Sequence, residues 1–339
     1  MQDVSSTLPH VSVIVPAYNA AWCLERTLIS IAAQTYPNFD VIIVNDGSTD
    51  GTEAVIDAFI AGDVRFRKLC QSNKGVVEAR NSALLKTDGE FVAPIDSDDL
   101  WAPDYLCEQV KALQAAPPEV PFSFCYSLWI DEQDRLLSAS VPDKPPRTDL
   151  IGILRENSVG NGSAAVFRRS ALEAVGGYDA TLMPRGARGG EDWKLSLMLT
   201  AVHSAVLVPK PLVAYRITAG SLSADANAQA KSLLIVLDDV KKAYPQISAH
   251  NMSVARTDFL VWLLPRWARA GNWPAFVRHA FIAYVLNPRA ILNGKHRAAL
   301  KALVRELLSG SPPPLAPVDG RTFQEFVSST VPVSSGNDR

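Results

Sequence analysis

The sequence predicts an α/β fold: a mostly parallel sheet flanked by helices, followed by a helical C-terminal extension. Two observations lead there. Over the first hundred residues, short apolar or β-branched runs alternate with stretches of helical periodicity, the pattern of strand–helix–strand units. After residue 224 the strand pattern stops and apolar residues recur at helical spacing. With 47% hydrophobic and 20% charged residues among 339, the chain can bury a large core and is not intrinsically disordered.

Taken in order, Val11-Ser12-Val13-Ile14-Val15, closed by Pro16, reads as a buried first strand. Ala20–Gln34 carries Leu24, Leu28 and Ile31 at helical spacing. Phe39–Val44 is a second strand, ending in Asn45-Asp46-Gly47-Ser48, and a helix runs from there to about Ile60. Val64–Leu69 is a weaker third strand, and Val76–Lys86 a helix entered through the turn Asn73-Lys74-Gly75. Phe91–Ile95 is a short buried strand that delivers Asp96-Ser97-Asp98-Asp99. Pro103–Ala115 is helical, Phe122–Ile130 a strand, and Asp131–Leu150 a polar, Pro-rich connection. Asn161–Phe167 leads into another strand, Ser170 is placed as the cap of a short helix ending at Gly176-Gly177, and Glu191 opens a helix to about Thr200.

The bulk numbers exclude several classes. A net charge of −2 selects no polyanionic partner, and with no recognisable motif nucleic acid is not expected. Cys23, Cys70, Cys107 and Cys125 form no CxxC pair, which argues against a zinc site or a disulfide framework. Met1–His10 has neither a basic start nor an apolar core, and no apolar run spans a bilayer. The expectation is a cytoplasmic protein, or one peripheral at the inner face of the membrane.

Three features fall just past strands: Tyr18, Asp46 and the acidic run. In a parallel sheet these share one edge, where ligands of open α/β sheets bind. An aromatic ring packs on a nucleobase, and a carboxylate accepts from a base N–H. Three crowded carboxylates are tolerable when solvated or when a hard divalent cation, shared with substrate phosphates, neutralises them. Each has a plainer reading. Tyr18 is ordinary packing, Asp46-Gly47-Ser48 is a turn and helix cap, and the acidic run is a solvated turn. None of these explains why all three occupy equivalent places.

The ordered set VSVIVPAYN (11–19), VNDGSTDGT (44–52), NKGVVEARN (73–81), DSDD (96–99), VGGYD (175–179), GEDW (190–193) and YRITAGSLS (215–223) resembles the family 2 glycosyltransferases of GT-A fold, over about two-thirds of the chain. The resemblance implies an inverting transferase that uses a nucleotide-sugar, usually a UDP-sugar, with Mn²⁺ or Mg²⁺. It places Pro16 and Tyr18 against the base and Asp46 on the uracil, although Asn45 stands where the family usually has another acid. Lys74 and Arg80 face the nucleotide or its diphosphate, and Arg80 equally reads as an exposed helix residue. Ala83 replaces a common glycine and points to a tighter helix contact. Asp96 and Asp98 match a DxD pair with Asp99 beside them. Asp98 or Asp99 makes the direct metal bond, and Asp96 and Ser97 stand toward ribose or bound water.

Glu191 and Asp192 are acids in a first helical turn, ordinarily favoured by the helix dipole. The resemblance makes Asp192 the general base, which deprotonates the attacking hydroxyl, with Glu191 and Trp193 supporting position or contacting the acceptor. Pro184–Gly190 reads either as a plain surface loop or as a lid bringing Arg185 and Arg188 to phosphate. Thr218 stands where the family often has histidine. Arg216, Ser221 and Ser223 either contact phosphate or order their loop.

The domain reading is 1–223 for the GT-A domain, with a nucleotide half over about 10–100 and an acceptor half over 101–223. A helical region follows over 224–308, then a disordered tail over 309–339 with one turn of helix at Phe323–Val327. Between 256 and 305, Arg256, Arg266, Arg269, Arg278, Arg289, Lys295, Arg297, Lys301 and Arg305 are interleaved with Trp262, Trp267 and Trp273. This region reads as a helical bundle on the catalytic domain, and is compatible with peripheral contact with an anionic membrane. The acceptor is expected to be a glycan or a lipid-linked glycan. The competing functions are a non-catalytic scaffold that retains the fold and a nucleotidyltransferase. The latter needs a basic, Gly-rich loop where Pro16-Ala17-Tyr18-Asn19 stands.

Overall fold

The computed structural model describes residues 8–138, 145, 147–218, 225–288, 301 and 320–330. They build one sheet in the order β3-β2-β1-β4-β8-β6-β9-β5, with β7 paired to β6. β1 (Val11–Ala17), β2 (Phe39–Asp46), β3 (Phe66–Gln71) and β4 (Phe91–Pro94) are parallel, with Val13 opposite both Val41 and Ala93. β8 (Ala165–Arg168) runs antiparallel between β4 and β6 (Phe122–Ile130). β9 (Val206–Arg216) is parallel to β6, and the two-residue β5 (Leu100–Trp101) closes that edge. β7 (Leu136–Ser138) makes a short hairpin with β6.

Strand alternation sorts the apolar residues into two layers. Val11, Val13 and Val15 face one cluster with Leu24, Leu28 and Ile31 of α1 (Leu24–Ala32), Ile56 of α2 (Thr52–Ile60), and Leu106 and Val110 of α4 (Tyr105–Ala115). Ile14, Ile42 and Val44 face the other, with Val77 and Ala83 of α3 (Val76–Leu84), Ile153 of α5 (Leu150–Glu156), Leu172 of α6 (Arg169–Val175), and Leu195 and Leu197 of α7 (Glu191–Thr200). Ala83 is fully buried in this layer, as a close helix contact requires.

The C-terminal helices complete that second layer. Leu233 and Val236 of α8 (Ala226–Ala243), and Leu260, Leu263 and Trp267 of α9 (Ala249–Arg269), pack into it, and α10 (Trp273–Leu286) forms a hairpin with α9. The described part of the basic region, 256–288, is therefore a helical bundle on the sheet. Among the described residues no helix is long and apolar enough to cross a membrane. Arg289, Lys295, Arg297 and Arg305 lie outside the described residues, as do Ser221 and Ser223.

Three details differ from the sequence reading. Ser170 lies within the first turn of α6, and the N-cap is Arg168. The connection Asp131–Leu150 contains β7 and leads into α5, which is capped by Asp149, whose carboxylate accepts from Gly152 N. Within the segment read as tail, α11 (Phe323–Thr330) docks on the first layer through Phe323 and Val327, and Leu136 N donates to Arg321 O. Residues 309–319 and 331–339 lie outside the described residues.

Candidate active site

The acidic run leaves β4 as a tight turn, with Asp99 N donating to Asp96 O. Three other elements hold it. From α1, Thr27 Oγ1 donates to Ser97 O at 2.8 Å. From the turn before β8, Ser163 Oγ accepts from Asp96 N at 3.0 Å and donates to Asp99 Oδ2 at 2.5 Å, and the Asn161 side chain fixes Ser163 by accepting from its N. From the end of β9, Arg216 N donates to Asp99 Oδ1 at 2.9 Å, and Arg216 Nε to Asp98 O at 2.7 Å. Asp99 is 0% exposed with both oxygens engaged. It acts as the keystone of the turn, and this leaves Asp98 as the carboxylate suited to a direct metal bond. Burial and the neighbouring acids raise Asp99 well above the carboxylate range, and burial and then Asp96 push Asp98 up to about 6.

Arg80 is not the exposed helix residue of one sequence reading, and Arg216 takes the loop-ordering role that is one of its two readings. Arg80 is 2% exposed. Its Nη2 lies 2.5 Å from Asp96 Oδ1 and its Nη1 2.9 Å from Glu191 Oε1, with the guanidinium 5.2 Å from the Tyr178 ring centre. Arg216 is 1% exposed; beyond the acidic run it donates to Asp131 O and pairs with Asp134 at 2.5 Å. Both are internal braces. Arginines at such positions look alike in sequence whether their partner is a ligand phosphate or a carboxylate of the same protein.

At the far end of the edge, Tyr18 is 49% exposed beyond β1, and Pro16 is buried within it. Asp46 is 3% exposed and accepts from Gln71 Nε2, Lys74 N and Gly75 N at 2.8–2.9 Å. Its carboxylate shapes the 73–75 turn, which presents the exposed Lys74 side chain. Gly47 sits at φ 70° under that turn, where a Cβ would stand 2.6 Å from Asn73 N. Asn19 stitches the first two loops together: its side-chain oxygen accepts from Thr49 N at 2.8 Å.

Asp192 lies in the first turn of α7, entered through Gly190 at φ 87°. Its Oδ1 accepts from Trp193 N at 2.7 Å. Burial first, then the charge of Glu191, push its carboxyl up to about 7 against the opposing pull of Arg80. Trp193 turns away into the core, donating to Ile153 O and packing on Phe259. It is a structural residue, not a wall of the site. The Pro184–Gly190 loop is anchored: Arg185 forms a two-pronged pair with Asp239 of α8 at 2.6 and 2.7 Å, and Arg188 N donates to Ser232 Oγ. Arg185 is thereby paired with an acid of α8, and Arg188 keeps an exposed side chain.

Ser163, Tyr178 and Asp134 belong to the site framework and were not singled out from the sequence. The NGS of 161–163, preceding a strand, carries a turn signal, but nothing local ties it to acids some 65 residues earlier.

Among the described residues no group of three His, Cys, Asp or Glu side chains encloses a metal on its own. An open site for a hard cation needs less: one or two carboxylates, with waters and substrate phosphates supplying the rest. Asp98 fits that donor type. Its charge is opposed by Asp96 and offset in part by Arg216 and by a backbone hydrogen bond within the turn.

Residues 12–176 match the Glycosyl transferase family 2 model. EpsH of Bacillus subtilis (strain 168), which carries a glycosyltransferase name, is 34% identical over 171 residues, 49% of each chain. The chain thus spans about half the length of the curated relatives it matches first. In fold, it aligns with S. aureus TarS 1-349 in complex with UDP at TM-score 0.55 and 18% identity, covering 92% of this chain and 95% of that one. It aligns with the mannosyltransferase PcManGT of Pyrobaculum calidifontis, in complex with GDP-Man and Mn²⁺, at TM-score 0.54 and 24% identity, covering 88% and 87%. These likenesses show the GT-A architecture.

Proposed function

We propose, from the premise that residues 12–176 form a glycosyltransferase family 2 domain, that this chain moves a sugar from a nucleotide-sugar to an acceptor hydroxyl with inversion. The donor is read as a UDP-sugar and the acceptor as a glycan or lipid-linked glycan. The observation that carries this reading is the pairing of two sites through one side chain. Arg80 bridges Asp96 of the acidic run to Glu191, the residue before Asp192, so a donor-holding turn and a basic carboxylate are fixed in one framework. TarS and PcManGT, which share the fold, are described with UDP and with GDP-Man and Mn²⁺.

In this mechanism the exposed Tyr18 ring stacks on the base, and the 73–75 turn, shaped by Asp46, brings Lys74 toward the diphosphate. Asp98, with Asp96 beside it, would hold Mn²⁺ or Mg²⁺. The ion, when bound, stabilises the negative charge of the departing nucleoside diphosphate. Asp192, ionised, accepts the proton of the acceptor hydroxyl as that oxygen forms the bond to the anomeric carbon. Glu191, held by Arg80, keeps Asp192 in place and raises its basicity through like charge. The donor C–O bond breaks on the face opposite the attack, which inverts the configuration.

The test separates binding from chemistry. Asp192→Asn is expected to abolish transfer while sparing donor affinity. Unchanged turnover would remove Asp192 as the base.

A further inference from the structure

Helix α10 is apolar on two opposite sides. Toward α9 it buries Ala283 at 0% exposure, stacks His279 on Trp267 with ring centres 4.2 Å apart, and packs Ala275, Phe276 and Ala280 into the second core layer. Away from that contact, Trp273, Val277, Phe281 and Val285 recur every four residues and are 45, 62, 68 and 59% exposed. Four-residue spacing aligns them in one row along the helix. A solvated helix normally carries polar residues opposite its packed face, and one that is apolar all round normally has a second partner.

The charge around the row says what that partner is. Between 249 and 288 the chain carries Arg256, Arg266, Arg269 and Arg278, no lysine, and Asp258 as its one acid. Arg278 adjoins Val277 at the edge of the row. On α9, Arg266 lies over the ring of Trp262, itself 44% exposed, at 3.7 Å from the centroid. Large apolar side chains with Trp273 at one end of the row and Arg278 at its edge match a lipid interface: acyl chains below, anionic phosphates above. A second copy suits the face poorly. Two identical basic surfaces repel, and four partly exposed side chains fall short of the roughly 800 Å² per partner that a stable complex buries.

We propose that α10 docks this protein on an anionic lipid surface, with Val277, Phe281 and Val285 entering the acyl boundary, Trp273 at headgroup level and Arg278 meeting lipid phosphate. The inference goes beyond the transferase reading and does not depend on it.

The test is co-sedimentation of the full chain with phosphatidylcholine vesicles, with and without phosphatidylglycerol, at low and high salt. Binding is expected only with phosphatidylglycerol and is expected to weaken with salt. Phe281→Glu and Val277→Glu, both at exposed positions, should keep the wild-type circular dichroism and melting temperature. Each should lower vesicle affinity by about tenfold or more, the loss of one buried apolar side chain. Absence of wild-type binding, or binding indifferent to both variants, overturns the proposal. So does a concentration-dependent dimer that Phe281→Glu disperses, since the row would then join two copies.

Discussion

Arg80 and Glu191 stand 111 residues apart in sequence and 2.9 Å apart between Nη1 and Oε1. The other amino group of Arg80 lies 2.5 Å from Asp96. One buried cation thus joins the acidic run to the helix that carries Asp192. Removing it leaves two carboxylates without their counter-charge, which typically costs about 3–5 kcal/mol when one partner of a buried pair is deleted. Arg80→Met is expected to lower urea stability by that order and to lower turnover with it. A loss well under 1 kcal/mol would show that the bridge carries little of the framework.

In the proposed mechanism Asp192 sets the pH dependence. Its carboxyl is raised to about 7 by burial first and Glu191 second. The base form is the carboxylate, so turnover should be suppressed below about pH 7 and rise as the pH passes through it. Stability runs the other way. With the folded value raised above the ordinary 3.8, this group's contribution is full below that value and is lost as pH rises through about 7. Glu191→Gln removes the like charge and should move the rising limb of the rate profile to lower pH. An unmoved limb would assign it to another group.

Asp98 and Asp99 are adjacent in sequence and differ in role, and stability against binding separates them. Asp99 is buried and accepts from Ser163 Oγ and Arg216 N. Asp99→Ala and Ser163→Ala should each cost stability on the order of 1–3 kcal/mol, the penalty for unpairing buried polar groups. Asp98→Asn relieves repulsion with Asp96 and should leave the melting temperature of the metal-free protein unchanged or higher, while removing metal-dependent nucleotide binding. The reverse pattern would exchange the two assignments.

Gly47 tests the base end of the edge. Its φ of 70° is in the left-handed region, and a Cβ there would meet Asn73 N at 2.6 Å. Gly47→Ala should cost at least the roughly 1–2 kcal/mol of a left-handed non-glycine residue, and should weaken nucleotide binding by shifting the Lys74 turn. Wild-type denaturation would mean that the turn relaxes freely.

The first four strands and the edge they share were legible because buried parallel strands are unbroken apolar runs that end in polar turns. Phe91–Ile95 and Asp96–Asp99 announce themselves in this way. The helical bundle was legible from periodicity at Leu233, Val236 and Leu237. What sequence could not resolve was whom a charged residue faces. Arg80 read as facing the diphosphate or as an exposed helix residue, but it is buried between Asp96 and Glu191. Of the two readings for Arg216, phosphate contact or loop ordering, its bonds to Asp98 O, Asp99 and Asp131 O fit the second. Asp46 read both as a base ligand and as a turn residue, and its two oxygens hold the 73–75 turn. Arg185 read as part of either a lid or a plain surface loop, and Asp239, 54 residues later, pairs with it. Such pairings are long-range, and residue type alone does not encode the partner. The docked helix at Phe323–Thr330 was obscured by its Pro- and Ser-rich surroundings; only its apolar pair Phe323 and Val327 marked it.

The central claim is a metal-assisted nucleotide-sugar site along the edge from Tyr18 to Asp98. Its most direct test is calorimetric titration of UDP, GDP, ADP and CDP into the full chain, with and without Mn²⁺. The account predicts Mn²⁺-dependent binding with UDP strongest, lost in Asp98→Asn and retained in Asp192→Asn. Absence of metal-dependent binding for all four nucleotides would contradict it and would favour a scaffold that keeps the fold without the chemistry.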